Sequence, residues 1–198
     1  MEYFRDMAAT GHADGPEPVD IKVKPGDKLT VVVKSRDSKQ SFLFNLPSNP
    51  ADSIGGGNAL YTVDDGGAID FPVAGSIQVG GMTRLQVANH IKSVLRERQL
   101  LDDAVVTVEY GNLSVAVMGE VARPGRYAVD RDRISLLDAL SMAGDLTRRA
   151  DRRKVAVVRM SQGRTTTYYI NLQSAAEAFA SPAFYLQQGD VVYAAPRK

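Results

Sequence analysis

The chain has 198 residues, enough for one large domain or two small ones. Hydrophobic residues make up 44% and charged residues 24%, so we expect a buried core, while the net charge of +1 gives no overall field that would attract nucleic acid or an anionic membrane. The absence of cysteine excludes disulfides, thiolate metal sites and a cysteine nucleophile, and no apolar run approaches the roughly 18 residues of a membrane-spanning helix.

The first stretch, residues 1–18, carries glycine, proline and polar residues without a sustained period, and it predicts a flexible leader. Alternating apolar and polar residues then predict a strand over 19–23. A turn follows, in which Pro25 fixes φ and Gly26 permits the reversal of direction. β-Branched residues predict the next strand over 29–33.

Short apolar runs and turn residues alternate through the next part of the chain. Phe42–Phe44 is an apolar run that precedes a loop through 55–57, a glycine triplet. Three short strands are expected next, at 60–63, 68–71 and 76–79, with Asp-Gly and Gly-Gly turns around them.

A first helix is predicted to begin after Thr83. Gln86 lies three residues beyond this candidate N-cap, which is the spacing of a capping box, and Met82 and Val87 are spaced as a hydrophobic staple. Apolar residues recur at helical intervals as far as Arg98 and give the helix one face for a core.

A second series of elements follows. Strands are predicted over 104–109 and 113–118, and Gly111-Asn112 between them predicts a tight hairpin. Ser135 is the candidate N-cap of a second helix, which Gly144 terminates. The other elements predicted in this half are a strand, the second helix, two strands, a short Ala-rich helix and a last strand, at 127–129, 136–143, 155–159, 165–171, 174–180 and 191–194.

Two stretches of the chain repeat one order of elements. Residues 68–88 and 120–140 each give a strand, a Pro/Gly turn, a strand and a hydroxyl-capped helix. Likewise, Gly-Asp precedes a β-branched strand both at 26–27 and at 189–190. The repeated plan predicts an α+β protein of two small domains, with the boundary near residues 110–113.

No catalytic motif is present in the sequence. His12 and His90 are too few for a multi-histidine metal site, and neither a nucleophile elbow nor a phosphate-binding loop occurs. The adjacent aspartates at 64–65 and 102–103 point apart on an extended chain, so neither pair forms the facing carboxylates of a glycosidase. We therefore expect no enzyme activity and no cofactor or metal.

A basic cluster follows the second helix, and its members are Arg148, Arg149, Arg152, Arg153 and Lys154. Two interpretations stay open: a solvated loop, or a contact surface for an acidic glycan or an acidic protein partner. Arginine suits the second interpretation because its planar guanidinium offers forked donors to carboxylates. Nucleic acid fits less well, since no aromatic residue is interleaved with the cations.

The ordered series of motifs from residue 19 to residue 196 resembles the Wza-type polysaccharide export family. Each motif alone is ordinary turn chemistry, but their order is specific. The motifs are VKPGDKLTVVV (23–33), YTVDDGGAIDFPVAGSIQVGGMTRLQVANHI (61–91), VVTVEYGNLSVAVMGEVARPGRY (105–127), SLLDALSMAGDL (135–146) and QQGDVVYAAP (187–196).

The resemblance implies a polysaccharide export domain over 19–111 and a soluble-ligand-binding β-grasp (SLBB) domain over 112–198, the second with a mixed sheet and short helices. It implies the periplasmic part of an outer-membrane channel that exports capsular or extracellular polysaccharide, as a homo-oligomeric ring that meets an inner-membrane copolymerase. One alternative is an oligosaccharide-binding or sensing β-grasp module without a channel role, and another is an enzyme acting on glycans.

The sequence departs from the family at both ends. Family members carry a signal peptide and commonly a lipidated cysteine, and many continue into a membrane-inserting helix. We expect a soluble, trimmed chain with an added Met1, which can be monomeric in this form. The resemblance implies no catalytic residue. The family's motif residues are expected to set turns, and they are Pro25, Gly26, Asp27, Gly119, Pro124 and Gly125.

Overall fold

The computed structural model describes residues 3–6, 17–45, 53–54, 58–161 and 163–197. The chain divides into two compact units, an N-terminal unit over Ile21–Leu113 and a C-terminal unit formed by Ser114–Lys198 with the residues up to Asp20. Helices and a mixed sheet are both present, which confirms the α+β class. The domain limits inferred from the sequence remain predictions, because compactness alone does not define a family domain.

The N-terminal unit is a small sheet protein with one long helix. Its described elements are β1 Lys28–Lys34, α1 Ser38–Phe44, β2 Ser53–Ile54, β3 Asn58–Thr62, β4 Ala68–Phe71, β5 Gly75–Gln78, α2 Arg84–Glu97 and β6 Val105–Tyr110. Four strands form an antiparallel sheet in the order β2-β3-β1-β6, and β4 pairs with β5. Strand β1 buries alternate residues against the apolar side of α2, so the core lies between sheet and helix.

The predicted start of α2 is confirmed in detail. The Gln86 N–H donates to the Thr83 hydroxyl at 3.3 Å, and the Thr83 N–H donates to the Gln86 side-chain oxygen at 2.9 Å. This reciprocal pair is the capping box, and it satisfies two backbone donors that the first turn would otherwise leave open. The strands predicted at 29–33, 68–71 and 76–79 are confirmed within one residue at their ends.

One strand prediction in the N-terminal unit is wrong, and an apolar run with no predicted element is helical. Residues 19–23 form no strand, because the Val23 N–H donates to the Met82 carbonyl and only a single bridge joins Lys22 to Thr83. The run 42–44 belongs to α1, which begins where the Asp37 carboxylate accepts a hydrogen bond from the Lys39 N–H at 2.9 Å. The loop predicted through 55–57 lies outside the described residues.

The C-terminal unit has a five-stranded mixed sheet. Its elements are β7 Ser114–Gly119, β8 Gly125–Ala128, α3 Leu136–Met142, β9 Ala150–Ser161, β10 Arg164–Ile170, α4 Ala175–Phe179 and β11 Val191–Pro196. The strand order is β10-β9-β11-β7-β8, in which β11 runs parallel to β7 and the other pairs are antiparallel. One side of this sheet is apolar and buried, and both helices bury apolar residues as well. Ser135 forms a second capping box at α3, as the sequence predicts for its N-cap.

Three further predictions need correction. The Gly111-Asn112 hairpin is wrong, because β6 pairs with β1 while β7 pairs with β8 and β11 in another sheet. The solvated loop proposed for the basic cluster is wrong for residues 152–154, which lie on β9. Flexibility does not describe residues 3–6, because Phe4 and Arg5 donate backbone hydrogen bonds to the carbonyls of Leu172 and Gln173 at 3.0 and 2.8 Å.

The two Gly-Asp turns that the sequence repeats have the same structure. In the first, the Asp27 N–H donates to the Lys24 carbonyl at 3.1 Å, and the Lys24 N–H donates to the Asp27 carboxylate at 2.9 Å. In the second, Asp190 and Gln187 make the same two bonds, at 3.1 and 2.8 Å. Gly26 and Gly189 both have positive φ, +83° and +76°, which favours glycine there. Each turn leads directly into an inner strand of its sheet.

The two buried aspartates differ in their charge partners. The carboxylate of Asp190, 1% exposed, accepts hydrogen bonds from the Arg159 guanidinium, the shortest at 2.7 Å. Asp27 lies 3% exposed, and burial raises the pKa of its carboxyl, while the hydrogen bond from the Lys24 N–H opposes that rise. Within the same backbone geometry, Asp190 is paired with a guanidinium, whereas burial disfavours the ionised form of the Asp27 carboxyl.

Asp27→Asn tests this electrostatic difference. The folded chain binds the Asp27 proton more tightly than the unfolded chain, so the free energy of unfolding is expected to fall as the pH rises from about 3.9 through the raised pKa. Asparagine keeps an oxygen acceptor for the Lys24 N–H and does not titrate. The fall in the free energy of unfolding with rising pH should therefore disappear in this variant. Hydrogen exchange of the β1 amides across that pH range measures it.

Asp190→Asn is the matched comparison, because it removes the ionic partner of Arg159. It should lower the free energy of unfolding of the C-terminal unit by about 3 kcal/mol at neutral pH. If the stability of β1 still falls with rising pH in Asp27→Asn, the assignment of this pH dependence to Asp27 is contradicted.

Candidate functional site

The basic cluster lies where the chain turns from α3 into β9. Arg148 and Arg149 occupy the turn before the strand, and both are exposed. Arg153 and Lys154 follow on β9 and are also exposed, whereas Arg152 is half-buried. The cluster is therefore the beginning of a long strand and the turn that precedes it.

Arg152 has a structural role within the cluster. Its Nη2 donates to the carbonyls of Leu146 and Thr147, each at 3.2 Å, and its guanidinium lies 5.7 Å from the ring centroid of Tyr3. These contacts fix the turn between α3 and β9 and cover the N-terminal residues with a cation–π interaction. Arg152 thus positions the other cations.

A polar hollow of about 180 Å³ opens beside the cluster. It brings three members of the cluster together with two arginines that lie far away in the sequence, and we call it the basic hollow. It is lined by Arg5, Arg148, Ala150, Asp151, Arg152, Arg153, Gln173 and Arg197. Arg149 and Lys154 are not among the lining residues. The lining includes five arginines and one aspartate, and the Asp151 carboxylate lies 3.7 Å from the Nε of Arg153. The hollow therefore has an excess of positive charge that suits carboxylate or phosphate groups.

Backbone pairing places the two additional arginines. The Arg5 N–H donates to the Gln173 carbonyl at 2.8 Å, and the Arg197 N–H donates to the Arg149 carbonyl at 2.6 Å. Asp6 holds the N-terminal residues in register, because its carboxylate accepts from the Ser174 hydroxyl at 2.7 Å at the start of α4. The same hydrogen bond keeps the pKa of Asp6 below its usual value. Sequence reasoning missed both arginines, since no local pattern indicates either pairing.

The expected turn-setting residues of the second half behave differently from one another. Gly119 has φ +86°, and a Cβ there would lie 2.1 Å from the Ala194 carbonyl oxygen, so β7 and β11 approach closely only because the residue is glycine. Pro124 is exposed before β8. Gly125 begins β8, and a Cβ there would meet only the Tyr127 ring at 3.8 Å or more, an ordinary contact. The backbone therefore requires glycine at 119 and not at 125.

Two of the four aspartates that occur in adjacent pairs in the sequence have structural partners. Asp64 accepts a hydrogen bond from the Ala68 N–H at 2.8 Å within a turn. Asp103 accepts from the Ser35 hydroxyl at 2.7 Å, which lowers the pKa of its carboxyl. His90 is half-buried on α2, and His12 lies outside the described residues. In the described ranges, no group of three or more His, Cys, Asp or Glu side chains could hold a metal ion.

No helix among the described residues combines the length and the apolar character that crossing a membrane requires.

Comparison with known proteins gives the class of the two units. Residues 15–111 match the family model described as polysaccharide biosynthesis/export protein, and residues 113–194 match the SLBB domain model. An export domain followed by an SLBB domain defines the class, and the chain belongs to the Wza-type polysaccharide export family.

Two curated relatives are named as polysaccharide export proteins of the outer membrane. The chain is 28% identical, over 98% of its length, to the EPS I polysaccharide export outer membrane protein EpsA of Ralstonia solanacearum. It is 31% identical, over 70% of its length, to the protein of the same name from Ralstonia nicotianae. The chain spans 55% of the first relative and 38% of the second.

Gly119→Ala tests the close approach of β7 and β11. The added methyl group cannot fit against the Ala194 carbonyl and the positive φ adds strain, so we expect a loss of about 2–3 kcal/mol in the free energy of unfolding of the C-terminal unit. Gly125→Ala is the matched control and should change it by less than about 0.5 kcal/mol. Urea denaturation followed by hydrogen exchange in β11 measures both; equal losses would contradict the geometry.

Proposed function

We propose that the chain is the periplasmic part of an outer-membrane assembly that exports capsular or extracellular polysaccharide and has no enzyme activity. Membership of the export family carries this proposal, supported by relatives whose names describe polysaccharide export at the outer membrane. The chemistry of the described residues agrees with it. Asp64 and Asp103 accept hydrogen bonds that hold turns and loops, and positive charge is concentrated in the basic hollow.

The basic hollow is the proposed contact for acidic groups on the exported polymer. Its arginines lie on a strand and on segments that backbone hydrogen bonds hold in place, so little loop entropy is lost on contact. Exposed cations contact a passing anion weakly, because water and salt screen them. Weak, repeated contacts favour transit, since a tightly bound polymer would not move.

The wider assembly is also part of the proposal. A ring of identical subunits encloses a polar conduit wide enough for a hydrated chain without any tight pocket. We propose that the full-length protein forms such a ring and meets an inner-membrane copolymerase. The alternative, an oligosaccharide sensor without a channel role, predicts saturable binding and normal surface polymer when the gene is deleted.

Deletion of the full-length gene tests export directly. Surface polysaccharide should be lost while polymer accumulates inside the cell, because synthesis continues without an exit. Staining of intact and permeabilised cells with a lectin or antibody measures the two pools. An unchanged coat would refute the export role, and loss of polymer from both pools would point to synthesis.

Substitution of Arg148, Arg149 and Arg153 by Glu in the full-length protein tests the basic hollow. Arg148 and Arg153 line the hollow, and Arg149 lies next to it in the basic cluster. Arg152 is left intact because its contacts hold the turn. The variant should keep its thermal melting temperature and lower the surface polysaccharide, and its affinity for a polyuronate should fall about tenfold or more through like-charge repulsion. Reversal of Arg131 and Arg164, both exposed elsewhere in the unit, is the control. A normal coat in the triple variant would return the cluster to a solvated surface.

A further inference from the structure

The five-stranded sheet of the C-terminal unit exposes one of its two sides. Paired residues point to the same side of a sheet, so the register assigns each paired residue to one of the two sides. One side carries Val117, Val157 and Val192, all fully buried. We call the other side the outer face. Its strand residues are Ser114, Ala116, Met118, Arg126, Ala128, Lys154, Ala156, Val158, Met160, Thr165, Thr167, Tyr169, Val191 and Tyr193.

A row of large apolar side chains crosses this outer face. The register aligns Tyr169, Ala156, Tyr193 and Met118 on four neighbouring strands. Tyr169 is 62% exposed, Tyr193 43% and Met118 52%. Side chains of this size are normally covered in a folded domain, and a contiguous exposed group indicates a binding surface.

The two tyrosines flank a small residue. Ala156 lies between them in the register, so their backbones are two strand spacings apart, roughly 10 Å. Tyr193 leans over β7, since a Cβ built at Gly119 would lie 3.0 Å from its ring. The row therefore has two exposed aromatic rings with a small residue between them, and the separation of their backbones is comparable to the length of two linked pyranose rings.

The charge of the outer face has one sign. Arg126 lies on this face by its register and Lys154 by its contact with Tyr169, and the paired residues of the face include no aspartate or glutamate. The Lys154 ammonium lies 4.7 Å from the ring centroid of Tyr169, so a cation accompanies the exposed ring. Two threonine hydroxyls, on Thr165 and Thr167, lie on the same face. A ligand that covers this row meets aromatic rings, hydroxyls and positive charge.

We propose that the tyrosine row is a binding platform for an acidic polysaccharide, with Tyr169 and Tyr193 stacking on sugar rings and Lys154 pairing with a sugar carboxylate. The aliphatic C–H groups on one side of a pyranose fit the negative face of an aromatic ring, and tyrosine offers that ring at low conformational entropy cost. The platform rests on the proposed export function and names a second contact for the same polymer, apart from the basic hollow.

The composition of the face favours a glycan over a second copy of the chain. Stable protein interfaces have a core that is depleted of charge. Lys154, Arg126 and the two threonines border the tyrosine row, together with the partly buried Val158 and Val191. Two copies facing each other across this surface would bring like charges together, whereas an anionic polymer complements them.

Binding of a defined probe to the full 198-residue chain tests the platform. The probe is a hexamer of galacturonic acid, and maltohexaose is its neutral counterpart. Wild-type chain should bind the hexauronate at low salt and maltohexaose more weakly, as measured by calorimetry and by NMR shifts of the tyrosine ring signals. The Tyr169→Ala/Tyr193→Ala variant should lose at least about tenfold in affinity, the scale expected for two aromatic contacts.

Conservative variants separate stacking from folding. Tyr169→Phe/Tyr193→Phe should bind within about twofold of wild type, because the ring and not the hydroxyl carries the contact. Met160→Ala, 67% exposed on the same face but outside the row, should also stay within about twofold. Lys154→Gln should weaken the hexauronate and leave maltohexaose unchanged.

Several results would overturn the platform. They are absence of hexauronate binding to the wild-type chain, equal losses in the Phe and Ala pairs, or self-association in sedimentation velocity that the Ala pair abolishes. Gene deletion distinguishes failure of the platform from failure of the export role. If deletion removes the surface polysaccharide but the Tyr169→Ala/Tyr193→Ala variant binds the hexauronate as well as wild type, the platform alone is refuted.

Discussion

In both units, an inner strand begins at a turn where a buried carboxylate accepts the backbone N–H three residues before it. The bond closes the turn from within, and a glycine at positive φ makes the reversal possible. Strands β1 and β11 then pair on both sides, so the position of this turn determines the register of every neighbouring strand. A shift of one residue would carry the apolar side chains of a strand to the opposite face.

In the C-terminal unit, the arginines that hold the fold and the arginines that face solvent lie at different positions. On the buried side, Arg159 pairs with Asp190 and fixes the approach to β11. At the start of β9, Arg152 holds the preceding turn while its neighbours face solvent around the basic hollow. Such a division lets charge accumulate at one edge without destabilising the core, because each cation near the core has a carboxylate or carbonyl partner.

Local patterns in the sequence predicted much of the fold. The capping boxes at Thr83 and Ser135 were legible because cap and partner lie three residues apart. The hairpin at 111–112 was wrong for a tertiary reason: a Gly-Asn turn signal does not reveal that the flanking strands enter different sheets. Long-range pairing also explains the missed site residues, since Arg5 and Arg197 reach the basic hollow through partners about 170 and 50 residues away in sequence. The exposed tyrosine row required the register of four strands, and alternation within one strand could not show which side is covered.

The central position of β11 has a consequence for how the C-terminal unit is made. The strand that joins the β9–β10 hairpin to the β7–β8 hairpin comes after all four in the sequence. As the chain is synthesised from its N-terminus, the two hairpins form with their apolar sides exposed and their inner edges unpaired. They remain open until β11 is made, so a chaperone has the most exposed surface to protect in this interval.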